Sequence, residues 1–185
     1  MTLRPLCAGV GQRPVGYLTL LGDFPDDPVE ELESVRWTCR AVEVLDPDSF
    51  VMIEISTRAA LHPSLPDRLA DTPPDLIFPV LERGRVGRRL AQMHQARETL
   101  ERQGLRVAVT GHRIASVGGF DLLVVSPRTA GADLDTGGRP LLVRDARTGK
   151  DLAWARDMGA SLVEGPAVAD PLKVAPVDLS RLRRR

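Results

Sequence analysis

TGKDLAWARDMGASLVEGPAVADP, Thr148 to Pro171, reads as one helix–strand unit with its punctuation in place. Leu152, Ala153, Ala155, Arg156 and Met158 follow a helical period. Gly159 stands just past the last turn, where a left-handed residue ends a helix and glycine takes that conformation at no steric cost. Ser161-Leu162-Val163 then reads as a short buried strand with Glu164-Gly165 at its carboxyl end, and Pro171 marks the exit. This is the shape of the last α/β unit of a parallel barrel.

Upstream, the same alternation repeats. Val15 to Leu21 is an apolar run before the turn GDFPDDP and reads as a strand. Val29 to Leu45 reads as a helix, with Val29, Leu32, Val35, Cys39 and Val42 at helical spacing and Pro28 suited to its first turn. Further strands are expected at Phe50 to Ile55, Leu76 to Leu81, Leu105 to Val109, Leu122 to Val125 and Leu141 to Val143, with a helix at Val86 to Gln103. Nearly apolar strands alternating with helices argue for a parallel sheet covered on both faces, and a closed or nearly closed α/β barrel of the TIM type is the expected version. The stretches from Thr110 to Phe120 and from Pro127 to Pro140 have room for loops but hardly for covering helices. The expected barrel is therefore shortened, with one or two outer helices missing.

The chain has 185 residues, 43% of them hydrophobic and 4% aromatic, which suits one domain with a core of Leu, Val and Ala. Twenty-five basic and 25 acidic residues cancel, so no global field draws the chain to nucleic acid or to an anionic membrane. Cys7 and Cys39 are too few and too far apart for a disulfide framework or a zinc site, and both read as buried, reduced thiols. No apolar run has signal-peptide or membrane-spanning length, and the expected compartment is the cytoplasm. The domain reading is a lead-in over 1–14, the barrel over 15–172 and a basic tail over 173–185.

Laid along the chain, these elements resemble the cyclic di-GMP phosphodiesterase family named for its Glu-Ala-Leu (EAL) motif, from Val15 to Leu172. The family ends in a Thr-led helix, a Leu-Gly turn and a strand closing on Gln-Gly, which the stretch quoted above resembles. Its lead-in is similar to Val15-Gly16-Tyr17, its second-strand Val-Asn-Val-Ser to Ile53-Glu54-Ile55-Ser56, and its Asp-Asp strand to Gln103 to Arg113. The resemblance implies an EAL-type barrel, but it also places non-equivalent residues at the family's site positions. The metal-binding glutamate of the motif becomes Leu18, the second-strand asparagine becomes Glu54, and the first carboxylate of the third-strand pair becomes Pro79, while Glu82 keeps the second. The Asp-Asp pair becomes Thr110-Gly111, the following Lys and Asp become Val124 and Ser126, and two later glutamates become Arg144 and Arg147. The closing glutamine becomes Glu164, and the arginine that follows the motif becomes Gly22.

Phosphodiester hydrolysis with two Mg²⁺ or Mn²⁺ ions requires several anionic oxygens converging on one pocket, since hard cations bind and activate water only when so held. Leu18, Pro79, Thr110, Gly111 and Arg144 supply none. The expectation is thus no catalytic residue, no metal and no cofactor, and a regulatory or protein-interaction module that engages another protein or a second copy of itself. The alternative is a metal-independent receptor for cyclic di-GMP or another nucleotide, with Arg113, Arg144 and Arg147 as phosphate contacts. A third reading takes Glu54, Glu82 and Glu164 as a new site at the carboxyl ends of barrel strands. Against it stands a simpler expectation, that these glutamates pair with Arg58, Arg83, Arg144 or Arg147 in a salt-bridged rim. His62, His94 and His112 are dispersed; Gly9-x-Gly11 lacks the strand and third glycine of a dinucleotide loop, and Asp133-x-Asp135 before Gly137 lacks the closing glutamate of a calcium loop.

Overall fold

The structure is a computed structural model that describes residues 2–9, 12–19, 26–70, 77–80, 86–110, 119–130 and 134–174, with the backbone alone for 77–80 and 86–90. Strand β1 (Thr2–Cys7) and strand β2 (Pro14–Thr19) form an antiparallel pair in the register Leu3 to Thr19, Arg4 to Leu18 and Leu6 to Gly16. Then follow α1 (Pro28–Leu45), β3 (Phe50–Ile53), the short helices α2 (Thr57–Ala60) and α3 (Leu65–Leu69), β4 (Ile77–Val80) and α4 (Val86–Arg102). Strands β5 (Arg106–Thr110), β6 (Leu122–Val125) and β7 (Leu141–Val143) precede α5 (Gly149–Asp157), β8 (Leu162–Val163) and β9 (Leu172–Lys173).

Strands β2 to β8 pair in chain order and all run parallel. The ring is closed by β1, which lies antiparallel between β8, through Cys7 and Val163, and β2. Strand β9 adds a second partner at the start of β1, through Leu3 and Leu172. The result is an eight-stranded barrel with its outer helices thinned. Among the described residues no helix lies between β5 and β6 or between β6 and β7. The described parts of 127–140 are turns and irregular chain, while 111–118 and 131–133 lie outside the described residues.

Two features depart from the reading of the sequence. The stretch taken as a lead-in carries β1, the strand that closes the barrel, and Lys173, taken as the first residue of the tail, sits in β9. TLRPLC holds an arginine and a proline and is too short to display alternation, so its pairing is set by partners distant in sequence rather than by its own pattern. Strand β2 starts at Pro14 and is described to Thr19; Leu20 and Leu21 fall outside.

Alternation along the strands sorts the apolar residues into two layers. Leu6, Leu18, Met52, Ala108, Leu122, Val124 and Leu142, with Phe50 and Leu162 against them, fill the barrel interior, as an eight-stranded barrel requires. Leu3, Val51, Ile53, Val107, Val109, Leu123, Val125, Leu141 and Val143 face outward into the larger cluster shared with Leu32, Val35 and Cys39 of α1 and Met93, Ala96 and Leu100 of α4. Helix α1 starts where Asp27 accepts the Val29 N–H at 2.8 Å, ahead of Pro28 and the acidic first-turn residues Glu30 and Glu31. No helix among the described residues is long and apolar enough to cross a membrane.

Candidate functional site at the barrel mouth

The carboxyl ends of the parallel strands form one face of the barrel, and the interior layer predicts what projects there. Two residues beyond Met52, Ala108, Val124, Leu142 and Leu162 come Glu54, Thr110, Ser126, Arg144 and Glu164, the next inward positions of β3, β5, β6, β7 and β8. Because β1 runs the opposite way, its start lies at this same face, and Arg4 is inward two residues before Leu6. Backbone bonds hold the rim in step: Glu54 N–H donates to Thr19 O at 3.3 Å, Arg144 N–H to Val125 O at 2.8 Å and Glu164 N–H to Val143 O at 2.8 Å.

Arg144 Nη1 donates to Glu54 Oε1, and since β7 and β3 lie four strands apart in the ring this ion pair spans the mouth. Arg4 Nη1 donates to Glu164 Oε1 at 3.3 Å, and the Asp145 N–H donates to Glu164 Oε2 at 3.0 Å. The two pairs are thereby strung together from β1 through β8 and β7 to β3. Glu54 is 7% exposed and Glu164 1%, so both carboxylates are buried beside guanidinium groups. Burial of an anion is costly without such a partner. Thr110 Oγ1, at the end of β5, is buried and has no hydrogen-bond partner among the described residues. Leu18 and Val124 are each 1% exposed in the apolar interior beneath.

Two described loops at the mouth, after β3 and after β7, are held by side chains. Glu31 of α1 is fully buried and accepts from Ser56 N–H at 2.5 Å and Ser56 Oγ–H at 2.7 Å; Ser56 Oγ in turn caps α2 by accepting the Ala59 N–H. That fixes the turn two residues past Glu54. After β7, Asp145 adopts a positive φ of 61°, and its carboxylate takes two bonds from Arg147, at 2.8 and 3.1 Å. That carboxylate, and after it Asp151, keeps the Arg147 guanidinium above its ordinary pKa. Gly165, at φ 139°, lies against Ala146 so closely that any Cβ would overlap that residue's backbone N and O. Arg128 stands 3.6 Å from Asp145 on the outer side.

Of the residues singled out in the sequence, the fold gathers Glu54, Thr110, Ser126, Arg144 and Glu164 at this mouth, with Leu18 and Val124 in the layer below. Pro79 pairs by backbone register with Ala108. Glu82, Gly111, Arg113, Gly22 and His112 lie outside the described residues. Arg147 is turned to Asp145 at the rim rather than to a glutamate. The sequence reading missed Arg4, Glu31 and Asp145. Arg4 had one signal, its two-residue spacing from Leu6, legible only after TLRPLC is recognised as a strand.

The described part of the donor set offers no free cluster of anionic oxygens for a divalent metal ion. Glu54 and Glu164 already have guanidinium partners, Leu18 and Val124 have no oxygen to give, and no three His, Cys, Asp or Glu side chains come together among the described residues.

No protein-family model matches the sequence, and no curated protein matches it. Its shape, however, is similar to that of solved EAL-domain proteins. An EAL-domain protein of Listeria monocytogenes aligns over 99% of this chain and 91% of its own, with a TM-score of 0.68 and 15% identity. A standalone EAL protein of Vibrio cholerae in its c-di-GMP-bound form aligns over 92% and 91%, with a TM-score of 0.70 and 15% identity. YkuI of Bacillus subtilis, with an EAL domain and in complex with substrate c-di-GMP and calcium, aligns over 98% of this chain at a TM-score of 0.66 and 16% identity, and this chain spans 57% of its length. The chain has the EAL-domain fold.

Proposed function

We propose that this EAL-fold chain is a cyclic di-GMP signalling module that no longer hydrolyses the dinucleotide and acts by engaging a protein partner in the cytoplasm. One observation carries the reading: the two described carboxylates at the mouth, Glu54 and Glu164, are each neutralised by an arginine of the same chain. Hydrolysis by metal-activated water would need those oxygens, and more of them, turned toward cations and substrate. Several of the solved neighbours are in complex with cyclic di-GMP together with calcium or manganese, which supports a link between the fold and this signal. Exposed apolar residues support a partner surface. Val15 is the second residue of β2 and Val44 and Leu45 close α1, all at the barrel end opposite the mouth, where strands begin and outer helices end.

The receptor alternative has less behind it, because Arg144 and Arg147, its described phosphate contacts, are engaged by Glu54 and Asp145. The reading is tested by incubating the purified chain with cyclic di-GMP and Mg²⁺ or Mn²⁺ and following the linear dinucleotide by chromatography. No product is expected. Turnover that Glu54→Gln abolishes would sink the proposal, and calorimetric binding of the dinucleotide in EDTA would move the assignment to the receptor reading.

A further inference from the structure

We infer that the groove between α5 and the end of β1, on the outer wall of the barrel, is a binding site for an aliphatic carboxylate, with the hydrocarbon laid along α5 and the head group on Arg156. The groove holds about 530 Å³, within the range of small-ligand pockets. The wall is thin there. A parallel barrel follows each strand with a covering helix. Here residues 164–171, which lead from β8 to β9, are turns and irregular chain, and α5 itself fully buries Ala155 alone. Gly149, Leu152, Ala153 and Arg156 fall on one stripe of α5 and line the groove together with Ala8, just past β1, and Val163 of β8. Val163 belongs to the outer cluster, whereas the next residue, Glu164, turns to the mouth and meets Arg4, so β8 stands between the two places. Among the described residues that line the groove, Arg156 is the one with a polar side chain. Its ion pair with its own neighbour Asp157 is loose, at 3.8 Å, and the two side chains are 80% and 73% exposed. A ligand carboxylate, met by two N–H groups of the guanidinium fork, would displace that weak partner. Gly149 and Arg156 lie seven residues apart on α5, about 10 Å along the helix, which gives a short alkyl chain its full length against Leu152, Ala153 and Val163.

The test is calorimetric titration of the full chain with sodium octanoate, with hexanoate and 1-octanol as comparisons. Saturable binding of octanoate is expected. Hexanoate should bind roughly tenfold more weakly, since it leaves two methylenes fewer to bury. In the wild type 1-octanol, which has the chain without the charge, should also bind more weakly than octanoate. Arg156→Met should lose roughly tenfold in octanoate affinity and nothing in 1-octanol affinity. Ala153→Phe, which fills the groove, should bind neither. Both positions are on the open side of α5, so the two variants should melt as the wild type does; should Ala153→Phe fail to fold, Arg156→Met decides alone. The inference is overturned by an absence of saturable octanoate binding, by 1-octanol binding the wild type as tightly as octanoate, or by either variant binding octanoate as the wild type does. None of these outcomes depends on the functional proposal, whose readout is dinucleotide turnover at the mouth.

Discussion

Single residues carry most of what distinguishes this barrel. Glu54 and Arg144 were both legible as candidates in the sequence, because the family resemblance lays site positions on them and each follows an apolar strand. Their pairing across four strands was not, since nothing local records which inward residues meet. Arg4 shows the limit more sharply: a six-residue strand with one proline carries too little pattern to announce itself, and its arginine is placed by β2 and β8. The buried thiol Cys39 offers a test of the outer packing layer. Burial among α1 and its neighbours pushes it up from 9.0 to about 12. A raised folded-state pKa means that the folded chain keeps a proton the unfolded chain gives up. That stability is whole below pH 9 and is lost progressively as pH rises toward 12. Urea denaturation at stepped pH should show wild-type stability falling by up to a few kcal/mol across that window. Cys39→Ala should start lower and fall less. Equal slopes would mean that the thiol is not sealed off from solvent.

At the scale of elements, the helix and strand between Thr148 and Val163 were readable because their ends are written in side chains. Thr148 Oγ1 accepts the Asp151 N–H at 3.2 Å while Asp151 accepts the Thr148 N–H at 2.9 Å, a reciprocal cap, and Gly159 ends the helix at φ 69°. Asp151 also accepts the Arg147 N–H, the first cause of its carboxyl being held below its ordinary range. The cap therefore fastens α5 and the rim loop behind Arg144 at once. Thr148→Ala should cost about 1 kcal/mol in urea denaturation. Amide exchange should quicken first at Arg147 and in the opening turn of α5. A change confined to the far end of the helix would contradict the coupling. What could not be read at this scale was closure: β8 is two residues long, and β1 reveals its role only once the ring exists.

The whole molecule explains why the scaffold and the ion-paired mouth belong together. An eight-stranded barrel must fill its own interior, and here Leu6, Leu18, Met52, Ala108, Leu122, Val124 and Leu142 do so with apolar volume right up to the layer of Glu54, Arg144 and Glu164. Leu18 lies where the family resemblance puts the first glutamate of the motif, so the obvious reversal is Leu18→Glu. In this barrel that change lowers a carboxylate into a layer of hydrocarbon, with Met52 beside it on β3 and Arg4 opposite on β1. Arg4 is held by Glu164, and a second anion would have to share it. Burial of a carboxylate without its own partner costs several kcal/mol. Leu18→Glu should therefore lose roughly 3 kcal/mol or more in urea denaturation, with no cyclic di-GMP hydrolysis in Mg²⁺ or Mn²⁺. Releasing Arg4 by a second change, Glu164→Gln, should recover part of that loss by giving the new carboxylate a cation of its own. A Leu18→Glu chain as stable as wild type would show that the mouth is wet and open at the depth of Leu18, and that the apolar layer does not seal it.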